Sequence, residues 1–284
     1  MRDEFEVAAG SVIGREHLRL GRNNQDAFSY KCSDHATIAV VCDGCSGGAH
    51  SEVGAKLGAR LVAQEINRML IQGGECGLSG QEFWETVHRG VLQQLSHLGT
   101  LLPGDAVGQS SDRISTIHDF LLFTIVGVVI ARTITCAFTI GDGIIVLNGE
   151  NIPVPTFANN APPYLGYGLI PEMAGTDPEK LQFCLYAQVP TESVQSILIG
   201  SDGVGDLLAA SDKQLPGKGE TVGKIDQFWE CDRYFQNPDL IRRRLFLINR
   251  EVIKPDWQNQ QLLREAGLLP DDTTLVVVRR IQNT

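Results

Sequence analysis

Short runs of Val, Ile, Thr and Phe recur along the chain, each bounded by Gly, Asp or Asn. They fall at 37–41, 121–130, 133–140, 196–199 and 274–278, and their β-branched character predicts strands. Between the first two, Val53, Leu57, Leu61, Ile66 and Leu70 return at close to helical spacing. That predicts a helix over 51–70, with Ser51 as its N-cap. A second helix is predicted over 81–98, carried by Phe83, Val87, Val91, Leu92 and Leu95, and a third over 238–252. Residues 149–181 contain six prolines and several glycines, which reads as loop and short strand. The strands cluster instead of alternating strictly with helices. An α+β fold with helices on antiparallel sheets is therefore expected, not a doubly wound one.

Composition narrows the function without naming it. With 284 residues, 43% of them hydrophobic, the chain can bury a sizeable core without disulfides. The 24 basic and 34 acidic residues give a net charge of −10, which argues against a nucleic-acid binder. Seven scattered cysteines make no disulfide framework, and the Cys42/Cys45 pair lacks the second pair of a zinc site. The N-terminus is acidic and does not read as a signal peptide. The longest apolar run, 120–131, is far shorter than a spanning helix of roughly 20 residues. The expectation is a cytoplasmic, monomeric protein with no nucleic-acid or membrane partner.

Carboxylates recur at predicted strand ends: Asp43-Gly44, Gly141-Asp142-Gly143, Ser201-Asp202-Gly203 and Asp271-Asp272. Asp26 precedes another short β-type run. Asp-Gly is ordinary turn chemistry at any one place. Four such ends in one chain allow distant acids to meet, and oxygen donors without a His or thiolate cluster suit Mg²⁺ or Mn²⁺. Two such ions can activate a shared water for attack on a phosphate ester.

Taken in order, the segments 21–26, 43–48, 141–143, 201–204 and 271–274 resemble the PPM/PP2C family of metal-dependent protein Ser/Thr phosphatases, in its bacterial branch. The resemblance implies an αββα sandwich, with residues 1–284 forming one domain. It implies phosphoserine and phosphothreonine hydrolysis by a hydroxide bridging two Mg²⁺ or Mn²⁺ ions, with a phosphoprotein as substrate. Asp43 would bridge both ions, the Gly44 carbonyl would bind the second, and Asp202 and Asp271 would bind the first. Asp26 would hold ion-bound waters. Asp271 is preferred to Asp272 as ligand, the latter ordering the turn or a water. Asp142 would sit in a turn that is structural or lies near the site, with direct ligation as the alternative, and Asp119 is the candidate for a third ion.

Three departures qualify the likeness. The phosphate-binding Arg of many relatives falls at Gly21, leaving Arg22 and Arg19 as candidates. Cys45 stands where the eukaryotic branch has a His; His50 follows the glycine loop and His17 lies nine residues before Asp26, each read as an exposed or structural His with contact to substrate as the alternative. The loop 45–50 is one residue longer than usual, and Ala49-His50-Ser51 excludes a Walker-type phosphate loop. By position, 213–229 would be the variable flap. A regulatory module that has lost turnover, and a phosphatase for small esters, are the competing readings.

Overall fold

The computed structural model describes residues 3–102, 110–158, 161–170 and 178–281. In chain order the strands are β1 (Phe5–Val12), β2 (Asp26–Cys32), β3 (Ala36–Asp43), β4 (Ile125–Ala131), β5 (Ile134–Ile140), β6 (Ile144–Leu147), β7 (Glu150–Ile152), β8 (Cys184–Pro190), β9 (Ser196–Gly200), β10 (Val252–Asp256), β11 (Gln261–Glu265) and β12 (Thr273–Arg280). The helices are α1 (Arg15–Leu20), α2 (Ser51–Gly73), α3 (Gln81–Gly99), α4 (Ser110–Phe120), α5 (Gly203–Ala209), α6 (Gln227–Glu230), α7 (Arg233–Gln236) and α8 (Leu240–Asn249).

One sheet has the order β1-β12-β9-β6-β7 and the other β2-β3-β4-β5-β8, with β10-β11 a separate hairpin. Every paired strand is antiparallel. The period-2 alternation of strand side chains explains the layering. In β3, Ala39 and Val41 point to the other sheet, while Ile38, Val40 and Cys42 pack under α2 and α3. In β12, Val276 and Val278 join the inter-sheet layer, while Leu275 and Val277 pack under α5 and α8. Both sheets are thus apolar on both faces, which is why their strands read as continuous hydrophobic runs. The result is the expected αββα sandwich. Each fully buried Val, Leu or Ile in these layers contributes roughly 1.5–3 kcal/mol of transfer free energy.

The differences from the sequence reading are local. Only Ile125–Ala131 of the run 121–130 is strand. Leu121, Leu122 and Phe123 are fully buried in an irregular segment that follows α4, a helix the apolar pattern did not reveal. Ser51 does not cap α2; His50 holds that position without a side-chain cap, and the Ser51 hydroxyl accepts a bond from Gln25. Strand β1 escaped notice because Ala-Ala-Gly interrupts its alternation. Edge strand β8 and hairpin β10-β11 are largely exposed or half-buried and so lack a buried stripe. The loop expected over 149–181 falls partly on 159–160 and 171–177, outside the described residues.

Phe138 tests the α2/α3 layer. Its ring is fully buried, with centroids 4.7 Å from Trp84 and 5.4 Å from Phe183. Phe138→Ala should cost about 3–5 kcal/mol in guanidinium unfolding with unchanged m-value.

Candidate metal centre

The sandwich brings one end of several strands together. Asp43 closes β3 and stands opposite Asp26, the first residue of β2. Asp202 follows β9 and Asp271 precedes β12, and these two strands are hydrogen-bonded neighbours. Asp142 follows β5. Asp43, Gly44, Asp142, Asp202 and Asp271 line one cleft, together with His17, Gln25, Cys45, Ser46, Thr124, Pro162 and Tyr164. Asp26 is buried just behind it.

Two buried carboxylates hold this end of the sandwich. Asp272 is 2% exposed and accepts the backbone N–H of Gly14 and of Gln25, each at 2.6 Å. Its Oδ2 also stands 2.9 Å from His17 Nδ1. Asp26 accepts the Ser201 hydroxyl at 2.7 Å, and Ser201 Oγ accepts the Thr274 N–H. The groups facing the cleft (Asp43, Asp202, Asp271) are partly exposed, whereas those that fix the strands behind it are buried. Gly203 and Gly44 permit this crowding. A Cβ on Gly203 would collide with the Asp272 carbonyl, and one on Gly44 would stand 2.8 Å from the Gln25 carbonyl and from Ser51 Oγ.

Electrostatics make the arrangement costly as a bare cluster. Burial above all pushes Asp26 from 3.8 to about 8; the Ser201 bond opposes the rise, and the Asp272 and Asp202 charges add to it. Asp43 is raised well above the carboxylate range by desolvation and then by Asp26, Asp202 and Asp271. Asp202 is raised by desolvation and by Asp271. Asp142 rises to about 6, through burial and then the Asp202 charge. The carboxyls of Asp43 and Asp202 lie within hydrogen-bonding reach of one another, which two anions tolerate only with a proton or a cation between them. Asp26 Oδ1, Asp202 Oδ1 and Gln25 Oε1 are buried oxygens without a hydrogen-bond partner. No Lys or Arg lines the cleft among the described residues. An oxygen-rich anionic cleft with unsatisfied acceptors fits a hard divalent cation.

The remaining candidates are distributed unevenly. Arg22 donates to the carbonyl of Ser46, 2.7 Å away, at the mouth of the cleft. Arg19 pairs with Glu16 on the exposed surface of α1. Asp119 does not line the cleft; its side chain is 41% exposed beside His118, and its carbonyl anchors the 45–50 loop through the His50 N–H. His50 packs its ring on Phe120. Residues 213–229 do not reach the cleft: Leu215, Val222 and Phe228 pack on the outer face of the first sheet. Pro162 and Tyr164 occupy the cleft wall instead. They lie in a proline-rich segment without periodicity, so the sequence offered no signal for them. Gln25 was equally silent, a neutral side chain beside a motif read for its acids.

A family model described as protein phosphatase 2C matches residues 13–233. The chain belongs to the protein phosphatase 2C family. That match ends before Asp271, and β12 brings this residue to the same cleft. Among solved structures, the chain is similar to a bacterial serine phosphatase at 15% identity, covering 99% of each chain, with a TM-score of 0.52. It is similar to the catalytic domain of the serine/threonine protein phosphatase PstP, solved with two manganese ions, at 16% identity. That likeness covers 98% of this chain and 99% of PstP, with a TM-score of 0.51. It is also similar to the serine/threonine phosphatase Stp1 from Staphylococcus aureus, at 15% identity and TM-score 0.50, covering 98% and 96%. At these identities the likeness establishes the phosphatase 2C fold. A search among curated proteins found no match.

The crowded carboxylates set the pH response of this phosphatase 2C chain. A folded-state pKa raised above the unfolded value means the folded protein holds a proton the unfolded chain releases. Stability is then present below the unfolded value and lost as pH rises through the folded one. In chelator, the melting temperature should fall from about pH 4 towards pH 8, the window set by Asp26. Asp43→Asn should raise that melting temperature in chelator by removing one repelling charge, and should weaken Mn²⁺ binding measured by calorimetry. A metal-free protein whose melting temperature rises across this window would contradict the assignment.

Proposed function

We propose that this protein hydrolyses phosphoserine and phosphothreonine in phosphoproteins, using two divalent cations, Mg²⁺ or Mn²⁺. The observation that carries the reading is the meeting of Asp43, Asp202 and Asp271 in one cleft, with the first two within hydrogen-bonding reach. Membership of the phosphatase 2C family and similarity to a manganese-bound relative support it. Cations held there would supply Lewis-acid activation of water and neutralise phosphate charge.

The chain's own residues divide that work. Asp43, at the centre of the acidic group, would hold a cation together with the Gly44 carbonyl beside it and supply negative charge to offset the bound metal. Asp202 and Asp271 complete the set from the other sheet. Asp26 keeps Oδ1 free for a water while Ser201 holds Oδ2. For a third cation the candidates are Asp119, which the resemblance implies, and Asp142, which lines the cleft with Asp202. Arg22 is the nearest candidate to hold substrate phosphate at the mouth; Arg19 is engaged elsewhere.

The enzyme we propose is a cytoplasmic monomer acting on phosphoproteins; no helix among the described residues is long and apolar enough to cross a membrane. One observation favours a second reading, a catalytically weak regulatory module: the cleft lining contains no cationic side chain among the described residues. Hydrolysis of a phosphothreonine peptide and of a small aryl phosphate, each with Mn²⁺ or chelator, separates the readings. Peptide turnover should require metal and fall by more than about 10²-fold in Asp43→Asn, since loss of even an outer ligand partner costs 10–100-fold. Arg22→Ala should raise KM for the peptide with little change in kcat. Metal binding without turnover on either substrate would favour the module.

A further inference from the structure

Helix α1 brings His17 into the wall of the acidic cleft. The residue is 8% exposed, and its Nδ1 is a buried atom 2.9 Å from Asp272 Oδ2, off the angle of a hydrogen bond. That carboxylate cannot swing away, because the N–H groups of Gly14 and Gln25 already hold one oxygen each. A fixed carboxylate 2.9 Å from Nδ1 is placed to orient the ring, and an imidazole whose Nδ1 carries the proton has a lone pair on Nε2 for a cation. Among the described residues nothing bonds Nε2, and His17 is one of the residues that line the cleft.

The residue before Asp272 supplies the second donor. One donor atom each from His17, Asp271 and Asp272 lies within 4.8 Å of the others. Opposed ligands on a first-row cation, with bonds of roughly 2.0–2.2 Å, stand about 4 Å apart. Both oxygens of Asp272 are taken by backbone groups, whereas Asp271 gives only Oδ1 to the Asp272 N–H, so His17 and the second oxygen of Asp271 are the pair left to face an ion. The unpartnered Gln25 Oε1, 4% exposed in the same cleft, is a further sign of a missing electropositive occupant.

We propose that His17 adds an imidazole nitrogen to the cation held by Asp271, with Asp272 as the carboxylate that orients the ring. The arrangement is the carboxylate–histidine–metal relay by which proteins fix the tautomer of a ligating histidine. A nitrogen donor among oxygens moves preference away from Mg²⁺ and towards Mn²⁺ or a neighbouring first-row cation. This inference rests on the metal-dependent reading above, and it names one ligand of that centre.

Pulsed EPR of the full chain loaded with Mn²⁺ tests it directly, since a coordinated imidazole modulates the echo at nitrogen frequencies. The unaltered protein should show ¹⁴N modulation that changes to the ¹⁵N pattern after selective ¹⁵N-histidine labelling, a control needing no mutation. The signal should vanish in His17→Gln and persist in His88→Gln, a histidine outside the cleft. Calorimetry should show Mn²⁺ affinity weakened roughly 10-fold or more in His17→Gln, with Mg²⁺ affinity much less affected. Bound Mn²⁺ with no nitrogen modulation in the unaltered protein, or modulation that survives in His17→Gln, overturns the proposal and leaves the oxygen-ligand centre standing. Failure to bind Mn²⁺ at all, or binding indifferent to Asp43→Asn, overturns the metal-dependent reading and this inference with it.

Discussion

The buried carboxylate of Asp272 ties together segments more than 240 residues apart in the chain. Its two oxygens take up the N–H groups of Gly14 and Gln25, so the end of β1, the start of β2 and the start of β12 meet at one point. Charge-assisted bonds to backbone donors are among the stronger ones a fold can make. Removing one partner of a buried charge is correspondingly expensive. The strand registers carry the constraint outward. Asp26 is set opposite Asp43 by the β2–β3 pairing, and Asp202 beside Asp271 by the β9–β12 pairing. The cleft therefore exists because of a residue that does not face it.

That geometry is bought against repulsion. Asp26, Asp43, Asp142 and Asp202 all have their acidity weakened, by burial first and then by neighbouring carboxylates, Asp271 and Asp272 among them. A fold that needed only a turn at each of these positions would do better with Asn or Ser. Holding anions together against their self-repulsion is a functional arrangement, and a divalent cation is the compensating charge that fits unsatisfied oxygens. The same accounting explains why the site sits at the sandwich end. There the backbone leaves the sheets and side chains reach solvent-accessible space, while the strands behind stay packed.

The described cleft has two kinds of wall. Acids from the strand ends form its floor, and the irregular segment with Pro162 and Tyr164 forms part of its side. Arg22, bonded to the Ser46 carbonyl, marks the mouth. Substrate discrimination would come from the wall and mouth, since the floor is built of groups that recognise only charge. The outer-face segment 213–229 is committed to packing through Leu215, Val222 and Phe228, which leaves it little freedom to serve as a cover.

By itself the sequence determined the layered α+β sandwich, because strands apolar on both faces can only be buried between another sheet and helices. It also determined which acids belong together, because their Gly neighbours and strand-end positions repeat in an order that a known family shares. Tertiary structure alone decided the rest. Whether Asp142 or Asp119 reaches the cleft depends on where β5 and α4 end in space, and both look alike as acids in a motif. The places of Gln25 and Tyr164 in the cleft were equally hidden, and His17 could be noticed but not placed, since each is fixed by partners far away in the chain and by no local periodicity. Local pattern encodes burial and turn chemistry; the direction in which a polar side chain points is set by long-range packing, which no window of sequence contains.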